Sequence, residues 1–177
     1  MARRYNALQS GQPFKGQRIL ELGCGHGLPA ILALKGGGIV DFADFNSEVV
    51  TKLTFPNVCA NHHDGLERSR FFSGGWDSLD SVLGPPDVLY DLILSSDTLY
   101  APESMEDLLD VMAKRLKPGT GAALIAAKTY YFGVGGGTDM FTSLVHKDGR
   151  CQVEIAEKFA DGSTNVREIL KLTLKER

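Results

Sequence analysis

Three glycines, Gly23, Gly25 and Gly27, follow the apolar run RILEL of residues 18–22 directly. Glycine has no Cβ atom, so backbone amides at such positions can approach a ligand closely. The next residues, LPAILAL, indicate a helix start, so the glycines connect a strand to a helix, where many folds bind a nucleotide. The spacing is GxGxG, and Leu28 stands where a dinucleotide motif needs its third glycine. An NAD-binding oxidoreductase is therefore disfavoured, and a turn without a ligand remains the alternative.

An acidic residue ends the second apolar run, IVDFAD, at residues 39–44. A carboxylate about twenty residues beyond the glycines can accept hydrogen bonds from both ribose hydroxyls. We predict that Asp44 has this role, because Asp41 would lie inside the strand. We expect Phe45 and Asn46 to flank the sugar and base, although Asn46 could also serve only as a helix cap.

A carboxylate and a phenol stand three residues apart after the fourth apolar run, in SSDTLY. A carboxylate can orient a nucleophile by accepting its hydrogen bond. We expect Asp97 to do so, Tyr100 to shape the pocket and Ser95 to contact the cofactor. The alternative is that Asp97 caps the helix that follows.

Trp76, the only tryptophan, follows Gly75 in the stretch FFSGGWDS. We expect both residues to lie in a loop, where the aromatic ring can stack on a ligand. Packing of the tryptophan in the core is equally compatible with the sequence.

The elements that position these residues alternate between strands and helices. Most of the apolar runs are continuous, which is typical of strands in a parallel sheet covered on both faces. Five strands are predicted at 18–22, 39–44, 69–72, 91–96 and 122–128. Helices are predicted at 28–36, 47–53, 102–116 and 138–146. The stretches 151–159 and 165–176, joined by the turn ADGS, predict a terminal antiparallel hairpin.

The totals restrict the classes of partner. At 177 residues and a net charge of −3, the chain fits one domain over 1–177 without a broad basic surface, so we expect no direct nucleic-acid contact. No apolar stretch approaches the ~18 residues of a membrane span. The three cysteines form no CxxC pair. The histidine pair His62 and His63 is predicted to lie in a solvated turn with no third metal ligand nearby, so we expect no metal site. We also expect a monomer.

The GxGxG motif, with Glu21 two residues before it, and the layout of five strands and helices followed by a closing hairpin resemble the class I S-adenosylmethionine-dependent methyltransferases. This resemblance implies a Rossmann-like α/β fold with a seven-stranded, mostly parallel sheet and a C-terminal antiparallel hairpin. It implies S-adenosylmethionine as the cofactor. The loop with Gly23, Cys24, Gly25 and Gly27 would accommodate its amino-acid and ribose parts, and Glu21 would take up its ammonium group directly or through water.

Three stretches, RFFSGGW, YDLILSSDTLY and KTYYFGVGGG, together resemble the protein-histidine N-methyltransferases. This resemblance implies methyl transfer to an imidazole nitrogen of a protein such as a large-subunit ribosomal protein, in the cytoplasm and nucleus. A lysine methyltransferase of the same fold is the alternative. The resemblance further implies that substrate is contacted by Tyr130, Tyr131, Phe132, Gly135 and Gly136.

A histidine target gives the carboxylate a physical role. Neutral imidazole has one lone pair and one N–H, so an acceptor for the N–H selects which nitrogen attacks. Asp97 or a backbone carbonyl of the 130–137 loop is expected to be that acceptor. Lysine, with an ordinary pKa of about 10.4, must first lose a proton.

Members of that family also carry a Trp-Glu segment that closes over the cofactor before the glycine motif. Residues 1–14 contain no such pair. A methyltransferase-like binding module without turnover is therefore a further hypothesis.

Overall fold

The computed structural model describes residues 12–160 and 166–176. Residues 1–11 and most of the predicted ADGS turn lie outside this range. Within it, seven strands form one sheet in the order β3-β2-β1-β4-β5-β7-β6. The strands are β1 (Arg18–Leu22), β2 (Ile39–Asp44), β3 (Ser69–Ser73), β4 (Leu92–Ser96), β5 (Ala122–Lys128), β6 (Cys151–Phe159) and β7 (Arg167–Leu174).

The sheet confirms the predicted mixture of directions. Strands β1 to β5 pair in parallel, whereas β7 runs antiparallel to both β5 and β6. The order places β1 and β4 side by side at the centre, so the segments that follow them in the chain meet at one edge of the sheet. Ligands of open α/β sheets bind at such an edge, where the strand order reverses.

Six α-helical segments lie between or beside these strands. They are α1 (Leu28–Lys35), α2 (Ser47–Val49), α3 (Phe55–His62), α4 (Trp76–Val82), α5 (Met105–Arg115) and α6 (Thr138–Asp148). A π-helical turn at Val50–Thr54 joins α2 to α3, and 3-10 turns occupy His63–Arg68 and Pro102–Ser104. The predicted helices therefore exist, with ends shifted by one or a few residues.

Two local predictions are wrong. The segment predicted as a connection after residue 53 is helical as far as Arg68, so His62 and His63 lie on helical backbone instead of a solvated turn. Pro56 is tolerated because it stands in the first turn of α3, and Val58 anchors that helix in the core. Trp76 begins α4 instead of lying in a loop.

The core has two apolar clusters, one on each face of the sheet. On one face, α1 and α3 pack against β1 and β2 through residues such as Ile31, Leu34 and Val58. On the other, α4, α5 and α6 pack through a larger cluster. In α5, Met105, Leu108 and Met112 are buried on one side, which confirms the predicted amphipathic helix. Assignment of the whole chain to one domain stays a prediction.

Candidate active site

The glycine bend consists of residues 23–27 and connects β1 to α1. Its glycines have left-handed backbone conformations, with φ of +68° at Gly23, +50° at Gly25 and +72° at Gly27. Residues with a Cβ atom rarely adopt such angles. The Cys24 N–H donates to the Ala43 carbonyl over 2.9 Å, which fixes the bend against the end of β2.

Asp44 lies directly beside the glycine bend. One carboxylate oxygen accepts the Gly25 N–H at 3.0 Å and the other accepts the Asn46 N–H at 3.1 Å. Each oxygen retains a further lone pair, so the carboxylate can still accept hydrogen bonds from a ligand. Phe45 and Asn46 are exposed next to it, and the Asn46 side chain does not cap the following helix.

Trp76, the first residue of α4, approaches the bend, and Phe45, which follows β2, lies close to Gly75. A Cβ atom at Gly23 would lie 3.9 Å from the Trp76 ring and only 2.6 Å from the Thr98 methyl group. A Cβ atom at Gly75 would lie 3.7 Å from the Phe45 ring, whereas one at Gly25 would meet nothing within 4 Å. The structure thus brings these predicted cofactor residues together around a bend with open space at its middle glycine, an arrangement that fits a nucleoside.

Glu21 lies behind the bend. Its side chain is only 2% exposed, and one carboxyl oxygen accepts the Ala30 N–H in the first turn of α1 at 3.3 Å. Burial raises the pKa of Glu21 to about 8, although the bond from Ala30 opposes the shift. The Glu21 carboxyl group is therefore largely neutral and supports α1, whereas an ammonium group is best bound by an ionised, accessible carboxylate. Binding of the cofactor's ammonium group by Glu21 stays a prediction.

Cys24 contributes its backbone to the bend while its side chain faces inward. The Cys24 thiol lies 3.4 Å from the Thr54 hydroxyl, and burial raises the pKa of the thiol to about 12. Thr54 in turn donates to the Gly25 carbonyl at 2.7 Å. The sequence analysis missed Thr54, because no sequence pattern predicts the π-helical turn that brings its hydroxyl to the bend.

Ser95 and Thr98 tie β4 to the same bend. The Ser95 hydroxyl donates to the Leu22 carbonyl at 3.0 Å and lies 2.7 Å from the Thr98 hydroxyl. Both residues are buried. The side chain of Ser95 therefore holds β1 against β4, and its predicted contact with a cofactor stays a prediction.

Asp97 has a strained backbone and well-fixed side-chain partners. It is the one non-glycine residue of the described chain with positive φ, at +53°, and its N–H donates to the Ala126 carbonyl at 2.8 Å. The Tyr131 hydroxyl donates to Asp97 Oδ1 at 2.6 Å, and the Arg167 guanidinium lies 3.6 Å from Oδ2. Strained residues of this type concentrate at functional sites.

The alternative role of Asp97 as a helix cap is wrong. The next helical turn begins at Pro102, and Ala101 occupies its cap position. The Asp97 side chain instead accepts a hydrogen bond from Tyr131 in the loop that follows β5.

That loop, residues 129–137, packs on the segment after Asp97. The Gly137 N–H donates to the Leu99 carbonyl at 2.8 Å, and the Tyr100 and Tyr131 rings meet edge to face with centroids 6.4 Å apart. A Cβ atom at Gly136 would collide with the Leu99 carbonyl oxygen. Tyr131 is half-buried, and burial together with its bond to Asp97 raises the pKa of its phenol to about 12.

The other predicted substrate residues of this loop are on its surface or support it. The rings of Tyr130 and Phe132 are exposed and pack edge to face, with centroids 5.1 Å apart. Gly135 donates its N–H to the Tyr131 carbonyl at 3.0 Å. Gly136 is buried and holds the loop close to Leu99, whereas Val134 is exposed together with the two rings.

Asp41 has the structural role expected for a residue inside a strand. Its carboxylate accepts hydrogen bonds from Arg70 Nε at 2.8 Å and from the Tyr90 hydroxyl at 2.6 Å. It is thus fully engaged away from the bend.

No cluster of three or more metal-ligating side chains occurs among the described residues. Within the same ranges, no helix is long and apolar enough to cross a membrane.

Comparison with known protein families shows which family has this sequence pattern. A family profile described as a methyltransferase domain matches residues 1–160, which is most of the chain. The chain belongs to this methyltransferase family.

Relatives of this methyltransferase domain include enzymes named for histidine. A histidine protein methyltransferase 1 homolog from Dictyostelium discoideum is 42% identical over 90% of this chain and 50% of its own. The Bos taurus homolog is 36% identical over 92% of this chain and 50% of its own. The chain therefore spans about half the length of the curated relatives it matches. The predicted resemblance to this group is confirmed.

A lysine-directed relative is more distant. The protein N-lysine methyltransferase METTL21A from Danio rerio is 30% identical over 66% of this chain and 52% of its own.

Solved structures confirm the methyltransferase fold. The YcgJ protein of Bacillus subtilis superposes with a TM-score of 0.70 at 13% identity, covering 99% of each chain. Magnesium protoporphyrin IX methyltransferase from Synechocystis, solved with bound SAH, gives a TM-score of 0.70 at 12% identity over 98% of this chain and 80% of its own.

Proposed function

We propose that this chain binds S-adenosylmethionine at the glycine bend and transfers its methyl group to a histidine imidazole of a protein. The observation that carries the proposal is the junction of two groups at one edge of the sheet: Asp44 bonded to Gly25, and Asp97 held by Tyr131. The first fits a nucleoside, and the second fits a hydrogen-bond acceptor for a nucleophile. The names of the more similar relatives support histidine as the target.

The cofactor would be held by the residues around the bend. The side-chain-free bend at Gly23 and Gly25 would face the amino-acid part, Asp44 would accept hydrogen bonds from the ribose hydroxyls, and Phe45 and Trp76 would flank the base. When bound, S-adenosylmethionine supplies an electrophilic methyl group on a sulfonium. No metal is needed for this transfer.

Asp97 is the orienting group for the nucleophile. Its carboxylate accepts the N–H of a neutral imidazole, which leaves the lone pair of the other ring nitrogen free to attack. Tyr131 fixes the carboxylate by donating to Oδ1, so little reorganisation is required in the reaction. After transfer, the methylated imidazolium releases its remaining N–H proton to water. Placing the nucleophile in line contributes more than base strength, because neutral imidazole needs no deprotonation.

Lysine is the second candidate target, favoured by the METTL21A relative. An ammonium group must lose a proton before attack. Among the described residues around Asp97, the phenol of Tyr131 has a raised pKa and is a poor base. This feature favours imidazole.

The proposed substrate is a large-subunit ribosomal protein, and the proposed compartments are the cytoplasm and nucleus. The aromatic pair Tyr130 and Phe132 offers an exposed surface for a protein chain beside Asp97. The free thiols of Cys24, Cys59 and Cys151 suit a reducing compartment. Microscopy of the tagged chain tests the compartments, and exclusion from both would contradict them.

The direct test is methyl transfer to ribosomal proteins. The purified chain is incubated with isotope-labelled S-adenosylmethionine and large-subunit ribosomal proteins, and the label is located by mass spectrometry. We expect label on histidine. Label on lysine alone would move the chain to the lysine-directed group, and no label with intact cofactor binding would favour the binding module.

Asp97→Asn tests the orienting role in the same assay. Asparagine tolerates positive φ, so the backbone is expected to persist, and the loss of a charged acceptor should lower kcat about 100-fold. The matched control is Asp87→Asn at an exposed position before β4. Equal activity of the two variants would contradict the role of Asp97.

A further inference from the structure

Arg167 is a charged neighbour of Asp97 that the sequence pattern does not reveal. It stands at the start of β7 and pairs in register with Lys128 at the end of β5. This register carries the guanidinium to the edge of the sheet where β4 ends, 3.6 Å from Asp97 Oδ2. The contact links two segments 70 residues apart in the chain.

The Asp97 carboxylate is thereby contacted at both oxygens. Tyr131 donates to Oδ1 and Arg167 approaches Oδ2. Each oxygen has two lone pairs, so one more donor can still be accepted. The guanidinium offsets part of the negative charge, because it lies 3.6 Å from Oδ2. The site therefore offers a hydrogen-bond acceptor whose negative charge is partly compensated.

Two other charged residues at these strand ends, Lys128 and Glu168, have contacts with groups other than Asp97. The Lys128 ammonium lies 5.3 Å from the centroid of the Tyr131 ring. Glu168, the next residue along β7, is buried and bonded to Thr138 and Lys158 instead of facing Asp97. Arg167 is therefore the cation that the structure pairs with Asp97 among the described residues.

We propose that Arg167 is a specificity-determining residue: its guanidinium offsets part of the charge of Asp97 and so favours a neutral imidazole over a lysine ammonium. This inference rests on the proposed function. A neutral N–H donor binds to the free lone pair without a charge penalty, whereas an ammonium group is repelled by Arg167 and finds a reduced negative charge.

The test measures binding of two small probes that reproduce the side chains, and it requires no turnover. The SAH-loaded chain, with ¹³C in its Asp carboxyl groups, is titrated by NMR with 4-methylimidazole and with n-butylammonium. At about pH 8.5 an ordinary imidazole is neutral and an ordinary alkylammonium is charged. The signal of Asp97 reports both probes, and their ratio of apparent Kd values is the readout.

Arg167→Gln is expected to shift this ratio about tenfold in favour of n-butylammonium at low ionic strength. The shift should shrink between ~0.02 M and ~0.5 M salt, because both partners are half-exposed and screened. Arg167→Lys keeps the charge and should resemble the wild type. The control Arg150→Gln removes an arginine that pairs with Asp110 and Asp148, residues unconnected to Asp97, and should leave the ratio unchanged.

Calorimetry with SAH, whose sulfur is uncharged, checks that the cofactor site is intact in each variant. An unchanged ratio in Arg167→Gln, a shift that salt does not reduce, or no effect of 4-methylimidazole on Asp97 would overturn the inference. Failure of the proposed function would show instead as unlabelled histidine in the transfer assay, which is a separate measurement.

Discussion

At the scale of single residues, the candidate site contains three acidic residues in different surroundings. Asp44 and Asp97 are partly accessible and hold ordered partners, whereas Glu21 is buried and bonded to a helix. The sequence could predict Asp44 and Asp97 because each follows an apolar strand directly. It could not predict Arg167 or Thr54, because their contacts depend on strand register and on the pitch of a π-helical turn.

Glu21 gives a pH-dependent prediction. Its folded-state pKa of about 8 exceeds the ordinary value of 4.5, so the folded chain keeps a proton that the unfolded chain releases. The free energy of unfolding should therefore fall as pH rises from about 5.5 to 7.5, by roughly 1 kcal/mol per pH unit from this group. Glu21→Gln cannot ionise and should lose this part of the slope in urea denaturation.

The control for Glu21→Gln is Glu103→Gln, at an exposed position before α5. Glu103→Gln should keep the slope of the wild type. Identical slopes for Glu21→Gln and the wild type would show that Glu21 is ionised in the folded chain.

At the scale of elements, two glycine segments form the working edge of the sheet. The bend at residues 23–27 contacts β2 and Thr98 after β4, and the loop at 129–137 contacts Leu99 in the same segment. Both depend on close approach of backbone to backbone. Side chains then reach the site from rigid strand ends.

Gly136→Ala tests the second segment. The added methyl group would meet the Leu99 carbonyl oxygen, and φ is +77° there. We expect the free energy of unfolding of Gly136→Ala to be about 1–3 kcal/mol lower than that of Gly119→Ala, the matched control described next. Methyl transfer should be lost while SAH binding persists, because the glycine bend is untouched.

Gly119→Ala is the matched control for that variant. Its φ is +74°, but a Cβ atom there meets nothing within 4 Å. The comparison separates backbone strain from collision with Leu99. Equal stability and equal activity of the two variants would contradict the packing role of Gly136.

Elements differ in how well the sequence predicts them. Continuous apolar runs predict strands β1 to β5, and the terminal hairpin is predicted by alternating Leu and Lys residues in β7. The segment 55–68 is polar, contains Pro56 and lacks clear periodicity, so a connection was expected. Burial of Val58 against α1 stabilises helical backbone there despite the weak local preference.

At the scale of the whole molecule, the apolar core covers the two faces of the sheet, and the candidate site lies at one edge of it. Apolar clusters cover both faces, so the strands are fixed, and polar residues gather where β1, β2 and β4 end. The fold could be predicted because strand and helix patterns agree with the glycine and acidic motifs. The mutual positions of Asp97, Tyr131 and Arg167 could not, because they arise only when β4, β5 and β7 assemble.

Isothermal titration calorimetry with S-adenosylhomocysteine tests the central claim most directly. We expect the full chain to bind with a Kd of about 1–100 μM, and Asp44→Ala to weaken binding at least about tenfold, while Asp87→Ala does not. Absence of binding by the folded wild-type chain at about 1 mM ligand, or equal Kd values for Asp44→Ala and the wild type, would contradict the account.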